Sequence, residues 1–448
     1  GYTCTLSRTY YIIMEYNFRT LNYLGSKFRL LDFIEENILK VTKEGEGVCD
    51  LFAGSGCVSY KLSNHFSVLS CDIQKYSQII SNAILKKISI TEEEINIFIS
   101  HVCNDGKLLD SFLPLIKIEE QAIELKNLEM LTEILENGSV EVYHIEERRT
   151  SLCIPLQEVY TNLEKNGLLN EKSLISRYYG GVYFSYRQAV WIDMILEVIN
   201  KYVTQDKRDL YLAALLSTSS DIVDTVGKHF AQPIKARDSK GKIKKTVYNK
   251  AVKDKTVSVL DLYKEWLLRY LTLPRSEHDC CAVQGDYLEC LRNLPNTVRT
   301  VYADPPYTRD HYSRFYHVLE TITLRDSPKL STTNIRGEKH ISNGIYRKDR
   351  HQSPFCIKSK APEAFRNMFE IISRGGRNLL LSYSPYDETK KTHPRVVTMQ
   401  ELITWAKDYF LHVRVISAGM FKHNKLNSTE HFLYASEEAE VLIVCTNK

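Results

Sequence analysis

No run in this 448-residue sequence approaches the ~20 consecutive apolar residues of a membrane span. Residues 1–14 are apolar only in short, interrupted pieces, which excludes a recognisable export signal and predicts a cytoplasmic protein without membrane contact. Disulfide and zinc frameworks are excluded on similar grounds. The eleven cysteines are scattered, with one adjacent pair at Cys280 and Cys281 and no C-x-x-C spacing. Cys49, Cys71 and Cys445 stand in apolar runs and read as small core residues. Net charge is low too: a formal +4 does not announce a polyanionic partner by its sum, so the distribution of charge has to decide. No internal repeat is visible.

What the chain does hold is apolar material, at 43% of residues, and more length than one compact domain needs, so two domains are expected. Helical periodicity covers residues 28–40, most of 76–136, 187–202, 210–226 and 259–270, with Trp191 on the apolar face expected in the core. Short continuous apolar runs at 48–52, 68–72, 300–303, 379–383 and 441–444 suit buried strands. One sheet is therefore built from both ends of the chain.

Val301-Tyr302-Ala303-Asp304-Pro305-Pro306-Tyr307 closes one of these strands. Two prolines fix φ and remove two donors, leaving acceptors at a stiff turn. Asp304 and the Pro305 carbonyl can accept both hydrogens of a planar exocyclic amine, and Tyr307 can stack on the ring bearing it. A strand-ending turn with a surface Asp and a packed Tyr accounts for the string equally well. Upstream, Val48-Cys49-Asp50-Leu51-Phe52-Ala53-Gly54-Ser55-Gly56 reads as a strand running into a glycine turn, with a helix-like segment at 57–62. Sixteen residues past Gly56, Asp72 ends another apolar stretch, at a spacing suited to ribose hydroxyls. The next glycine is Gly106, so the G-x-G-x-x-G of a pyrophosphate site is missing and an NAD-dependent oxidoreductase is disfavoured. S-adenosylmethionine, a nucleoside without pyrophosphate, fits better.

Together these pieces resemble the Dam-like DNA adenine-N6 methyltransferases of restriction-modification type. Tyr23-Leu24-Gly25-Ser26-Lys27 is similar to that family's N-terminal cofactor motif, and Gly285-Asp286-Tyr287 to its acidic motif reaching the cofactor adenine. Residues 307–321, 180–185 and 225–230 also resemble segments of such enzymes. Leu51 departs from the family's usual proline, and residues 81–176 carry no resemblance. The resemblance implies an α/β, Rossmann-like S-adenosylmethionine-dependent methyltransferase fold at 14–80 and 281–448, interrupted by a largely helical, target-recognising insertion at 81–280. It further implies cofactor contacts at Tyr23, Gly25, Lys27, Asp50, Phe52, Gly54, Gly56, Asp72 and Asp286, and a catalytic set of Asp304, Pro305, Pro306 and Tyr307. No metal is expected. Because the shared segments all follow Met14, translation is expected to start there.

Double-stranded DNA is the expected substrate, with a cognate restriction endonuclease or defence-system protein as an expected partner. Lys235, Arg237, Lys240, Lys242, Lys244, Lys245, Lys250, Lys253 and Lys255 form a basic run, and Arg309, Arg314, Arg336, Lys339, Arg347, Lys348 and Arg350 a second area, expected to flank one groove. An adenine inside a duplex must be swung out before its amine is reachable. Alternative readings are an RNA adenine methyltransferase, a methyltransferase for a protein glutamine amide, or an inactive DNA-binding protein that retains the fold.

Overall fold

The computed structural model describes residues 16–23, 27–309, 311–385, 394–419 and 440–448. Two compact units emerge: residues 1–87, 273–313 and 351–448, and residues 88–272 and 314–350. These limits differ from the expected division at residues 81–87, 273–280 and 314–350. The helix Lys75–Leu85 belongs with the sheet, because Tyr76, Ile80, Ala83 and Ile84 are buried and Asn82 Oδ1 accepts the Ala282 N–H at 2.9 Å. Residues 314–350 pack with the helices instead: the Phe230 N–H donates to the Phe315 carbonyl and Tyr183 Oη to the Gly344 carbonyl.

Nine strands are described: β1 (Gly47–Leu51), β2 (Val68–Asp72), β3 (Cys281–Gln284), β4 (Val298–Ala303), β5 (Thr332–Ile335), β6 (Glu338–Ile341), β7 (Asn378–Tyr383), β8 (His412–Ser417) and β9 (Val441–Thr446). In the first unit seven of them form one sheet in the order β3-β2-β1-β4-β7-β9-β8. β9 runs antiparallel to both neighbours and the remaining pairs are parallel. β1 is buried along its whole length, as a central parallel strand must be. The helix Ala361–Arg374 starts with a proline in its first turn and sets Phe365, Met368 and Phe369 in one core cluster with Leu379, Leu381 and Ile443.

Strand order reverses between β1 and β4, creating the crevice where open α/β sheets bind ligands. Register sharpens this. Leu51 lies opposite both Cys71 and Ala303, so Phe52, Asp72 and Asp304 stand at the ends of three adjacent strands at one level.

The second unit is helical. Its helix starts are written locally: Thr91 and Glu94 form a reciprocal capping box, as do Ser185 and Gln188, and Glu92, Glu93 and Glu94 occupy a first turn where the helix dipole favours acids. Lys255, from the basic run, is drawn inside, where its Nζ donates to Glu119 Oε2 at 3.1 Å and to the Gly181 carbonyl at 2.9 Å. Trp191 is only half-buried, because it borders a surface cleft beside Thr256. β5 and β6 pair as an exposed hairpin turned by Arg336 and Gly337, both at positive φ. Among the described residues no helix is long and apolar enough to cross a membrane, and no His, Cys, Asp and Glu cluster suits a metal ion.

Candidate active site

A pocket of about 810 Å³, counting its open mouth, lies at the strand ends of the first unit. Phe52, Ile73, Tyr287 and Phe355 give it apolar walls, and Asp72, Asp286 and Asp304 give it three carboxylates. No lysine or arginine lines it among the described residues. Such a lining suits a nucleoside with cationic character and gives a phosphate chain no counter-charge.

The chain leaves β1 under strain. Phe52 sits at φ 66°, a costly conformation for an aromatic residue, and its ring faces Phe355 edge-on with centroids 5.2 Å apart. At Gly54, φ is 55° and a Cβ would fall 2.7 Å from the Tyr23 ring, so the glycine is required by Tyr23 packing over the turn. Gly56 answers to Ser81 in the same way, at 2.8 Å. Neither glycine lines the pocket; they shape the loop beneath it. Asp72 braces that loop, accepting the Gly54 N–H at 2.9 Å and the Gln74 N–H at 2.8 Å, and burial outweighs these bonds to push its carboxyl up. Asp286 caps the helix Tyr287–Arg292 by accepting the Leu288 N–H and faces the pocket.

Asp50, expected at the cofactor, is instead under the loop. It is 1% exposed, accepts a 2.6 Å bond from Ser59 Oγ and does not line the pocket. Burial raises its carboxyl to about 7 in spite of that bond. Gly25 lies outside the described residues.

Asp304 opens into the pocket beside Pro306, whereas Pro305 is buried and is not part of the lining. Burial raises the Asp304 carboxyl to about 7, against the pull of Lys27, whose Nζ lies 3.5 Å from Asp304 Oδ1. Lys27 also donates to Glu440, and it is not part of the pocket lining. Tyr307 faces the core: its ring stacks on Phe365 at 5.8 Å and 13° and meets Tyr383 edge-on at 4.7 Å. The apolar floor under the turn captures this ring, which was expected at the base. Tyr23 and Tyr312 line the pocket in its place, edge-on to each other at 5.7 Å.

Sequence reasoning missed His351, Pro354 and Phe355, which approach from far along the chain, and also Glu440. The segment carrying Tyr312 stood out in the sequence, but not that residue's place in the wall.

In the second unit a groove is lined by Lys235 and Arg237 of the first basic area together with Arg148, Ser342, Asn343 and Ile345, and no cation of the second basic area is part of that lining. Not all of these cations face water. Lys255 is buried and Arg347 is mostly covered in its pair with Asp326, while Arg237, paired with Glu136, and Lys240, Lys242, Lys244 and Lys245 are exposed.

Residues 23–112 match the family model of the D12 class N6 adenine-specific DNA methyltransferases, extending into the stretch where no resemblance was expected. Among curated relatives, Modification methylase LlaI of Lactococcus lactis subsp. lactis is 25% identical over 398 residues, covering 87% of this chain and 49% of the relative. Type II methyltransferase M.FokI of Planomicrobium okeanokoites is 24% identical, over 81% of this chain and 44% of the relative. Type II methyltransferase M.CviAII of Paramecium bursaria Chlorella virus 1 is 23% identical, with 81% and 83% covered. The chain thus spans about half the length of the first two.

Proposed function

We propose, for a chain related to the D12 class N6 adenine-specific DNA methyltransferases, that it transfers a methyl group from S-adenosylmethionine to N6 of an adenine at specific sites in duplex DNA. The observation carrying this reading is that Asp304, at the end of β4, shares one pocket with Phe52, Asp72 and Asp286 at the topological switch point. When bound, S-adenosylmethionine supplies an electrophilic methyl on a sulfonium. Asp72 offers lone pairs to ribose hydroxyls, Asp286 an acceptor to the cofactor's adenine amine, and Phe52, Tyr287 and Phe355 an apolar slot for its ring.

Adenine N6 is a weak nucleophile because its lone pair is delocalised into the ring. Asp304, accepting an N6 hydrogen from within the pocket, would draw that nitrogen toward a tetrahedral shape and aim its lone pair at the methyl, whereas the Pro305 carbonyl, expected to take the second hydrogen, is not part of the lining. Oriented acceptors and exclusion of water supply the effect. Once the methyl has moved, the N6 proton is acidic and passes to Asp304. Tyr23 and Tyr312 provide the aromatic wall for the swung-out base, and Tyr307 stiffens the turn from beneath. Target recognition is assigned to the second unit, with its exposed lysines on phosphates.

The test is incubation with methyl-labelled S-adenosylmethionine and plasmid DNA, followed by nucleoside analysis. Label is expected in N6-methyladenine, and Asp304→Ala should abolish it while cofactor binding persists. Label in cytosine or protein, or none at all, would overturn the reading.

A further inference from the structure

Building on the methyl-transfer reading, we propose that Glu440 is a positioning residue that holds Lys27 off Asp304 and sets, by its own charge, the pH at which Asp304 becomes a carboxylate. Glu440 immediately precedes β9 and is 413 positions from Lys27 in sequence. Lys27 Nζ donates to Glu440 Oε1, and Ser382 Oγ on β7 donates to the same oxygen at 3.0 Å. Asp304 Oδ1 lies 3.5 Å from the same ammonium. The three side chains are 13%, 12% and 23% exposed for Lys27, Glu440 and Asp304.

One ammonium therefore serves two carboxylates, and it sits closer to the one that does not face the pocket. That asymmetry has a chemical use. An N–H···O bond of ordinary strength spans 2.7–3.2 Å, so at 3.5 Å Lys27 holds Asp304 only by a long, weak contact that a substrate amine can displace. The Asp304 lone pairs are what a substrate amine needs. A bridge serving only stability would need one carboxylate, whereas the second places like charge beside the residue proposed to accept the amine's proton.

Burial raises Asp304, Lys27 pulls it down and Glu440 pushes it up. Burial pulls Lys27 down, but the two carboxylates outweigh it and the ammonium stays protonated. The other groups whose charge is felt around Asp304 are Asp50 on β1, Tyr302 on β4, and Tyr307 and Tyr312 beyond the turn, with Arg395 acting on the last two. None changes in the variants below, so Lys27 and Glu440 decide the sign.

The experiment compares wild type, Glu440→Gln and Lys27→Met in single-turnover methyl transfer across pH, alongside a carboxyl carbon-13 NMR titration of Asp304, assigned through Asp304→Asn. With Glu440→Gln the acidic limb and the NMR midpoint should move down by about 1 pH unit, cofactor KM staying within about twofold. With Lys27→Met the midpoint should move up. A limb and midpoint that stay put or rise in Glu440→Gln, or folded Glu440→Gln protein inactive at every pH, would overturn the proposal. If the wild-type protein puts no methyl on adenine N6, the methyl-transfer reading fails, and the NMR midpoints still decide the electrostatic claim.

Discussion

Tyr307→Phe should stabilise the sheet unit while leaving methyl transfer intact. The Tyr307 hydroxyl is buried with no hydrogen-bond partner among the described residues, and the residue is only 7% exposed. A buried polar group left unsatisfied costs ~1–3 kcal/mol. Deleting the oxygen recovers that amount, less a small loss of packing where it sat, and keeps the ring stacked on Phe365 at 5.8 Å and edge-on to Tyr383 at 4.7 Å. For a unit of this size each kcal/mol moves Tm by ~2–4 °C, so a rise of roughly 2–12 °C before the packing loss is expected by calorimetry. Burial pushes the phenol well above its usual range, so the gain should not vary across neutral pH. A fall in Tm would refute the argument, because it would mean that the hydroxyl is bonded after all. Tyr307→Leu then separates packing from base stacking. Aromatic stacking on a base is worth ~1–3 kcal/mol, or roughly 5–150-fold. A kcat drop of that size in folded Tyr307→Leu protein would return the base to Tyr307, and an unchanged kcat leaves it with Tyr23 and Tyr312.

Gly54→Ala places a Cβ at φ 55°, costing ~1–2 kcal/mol, and drives it within 2.7 Å of the Tyr23 ring that lines the pocket. S-adenosylmethionine affinity, measured by titration calorimetry, should fall about tenfold; unchanged affinity would mean that Tyr23 does not shape that site. Asp50 is raised to about 7, above the value of an unfolded carboxyl, so the native state keeps a proton that the unfolded chain loses. Its contribution to stability is therefore present below about pH 4 and is lost as pH rises toward 7. Asp50→Asn should gain Tm relative to wild type progressively from about pH 4 to 7 and level off above that, and a pH-independent difference would contradict this. Replacing the exposed Lys240, Lys242, Lys244 and Lys245 with alanine should reduce the slope of log K for DNA against log salt by about 0.9 for each phosphate no longer neutralised. An unaltered slope would take that segment off the DNA.

Central strands were legible in the sequence because burial on both faces writes a continuous apolar run, as in Val48 to Leu51 or Leu379 to Leu381. Edge and hairpin strands were not. β3 is four residues with only one fully buried, β8 is largely exposed, and β5 is exposed throughout, so none leaves a hydrophobic signature. The helix Ala361–Arg374 did leave one, with Ala364, Phe365, Met368, Phe369 and Ile372 at helical spacing, and it went unread. At the site, motif chemistry located Asp72, Asp286, Phe52 and Asp304, since a strand-end acid or a turn proline is a local feature. Direction was harder to read. Whether Asp50 faces a ligand or Ser59, and whether Tyr307 faces a base or Phe365, depends on partners outside the motif itself and on which side of a turn is dry. Glu440 has no local signal at all, because its meaning comes from Lys27.

Both excursions from the sheet unit leave its switch point intact. The long excursion leaves after the helix that follows β2 and returns before β3, so it lengthens a crossover at one side of the sheet and leaves the β1–β4 switch point alone. The short excursion, residues 314–350, departs just after Tyr312 and Ser313 and returns at His351, all three of which line the pocket. Ser313 Oγ donates to the His351 carbonyl at 2.7 Å and ties the two ends together. A stem closed by a hydrogen bond lets the enclosed segment vary in length and sequence at little cost to the wall, because loop-closure entropy grows only slowly with length. The same closure makes both flanks of the segment part of the pocket wall.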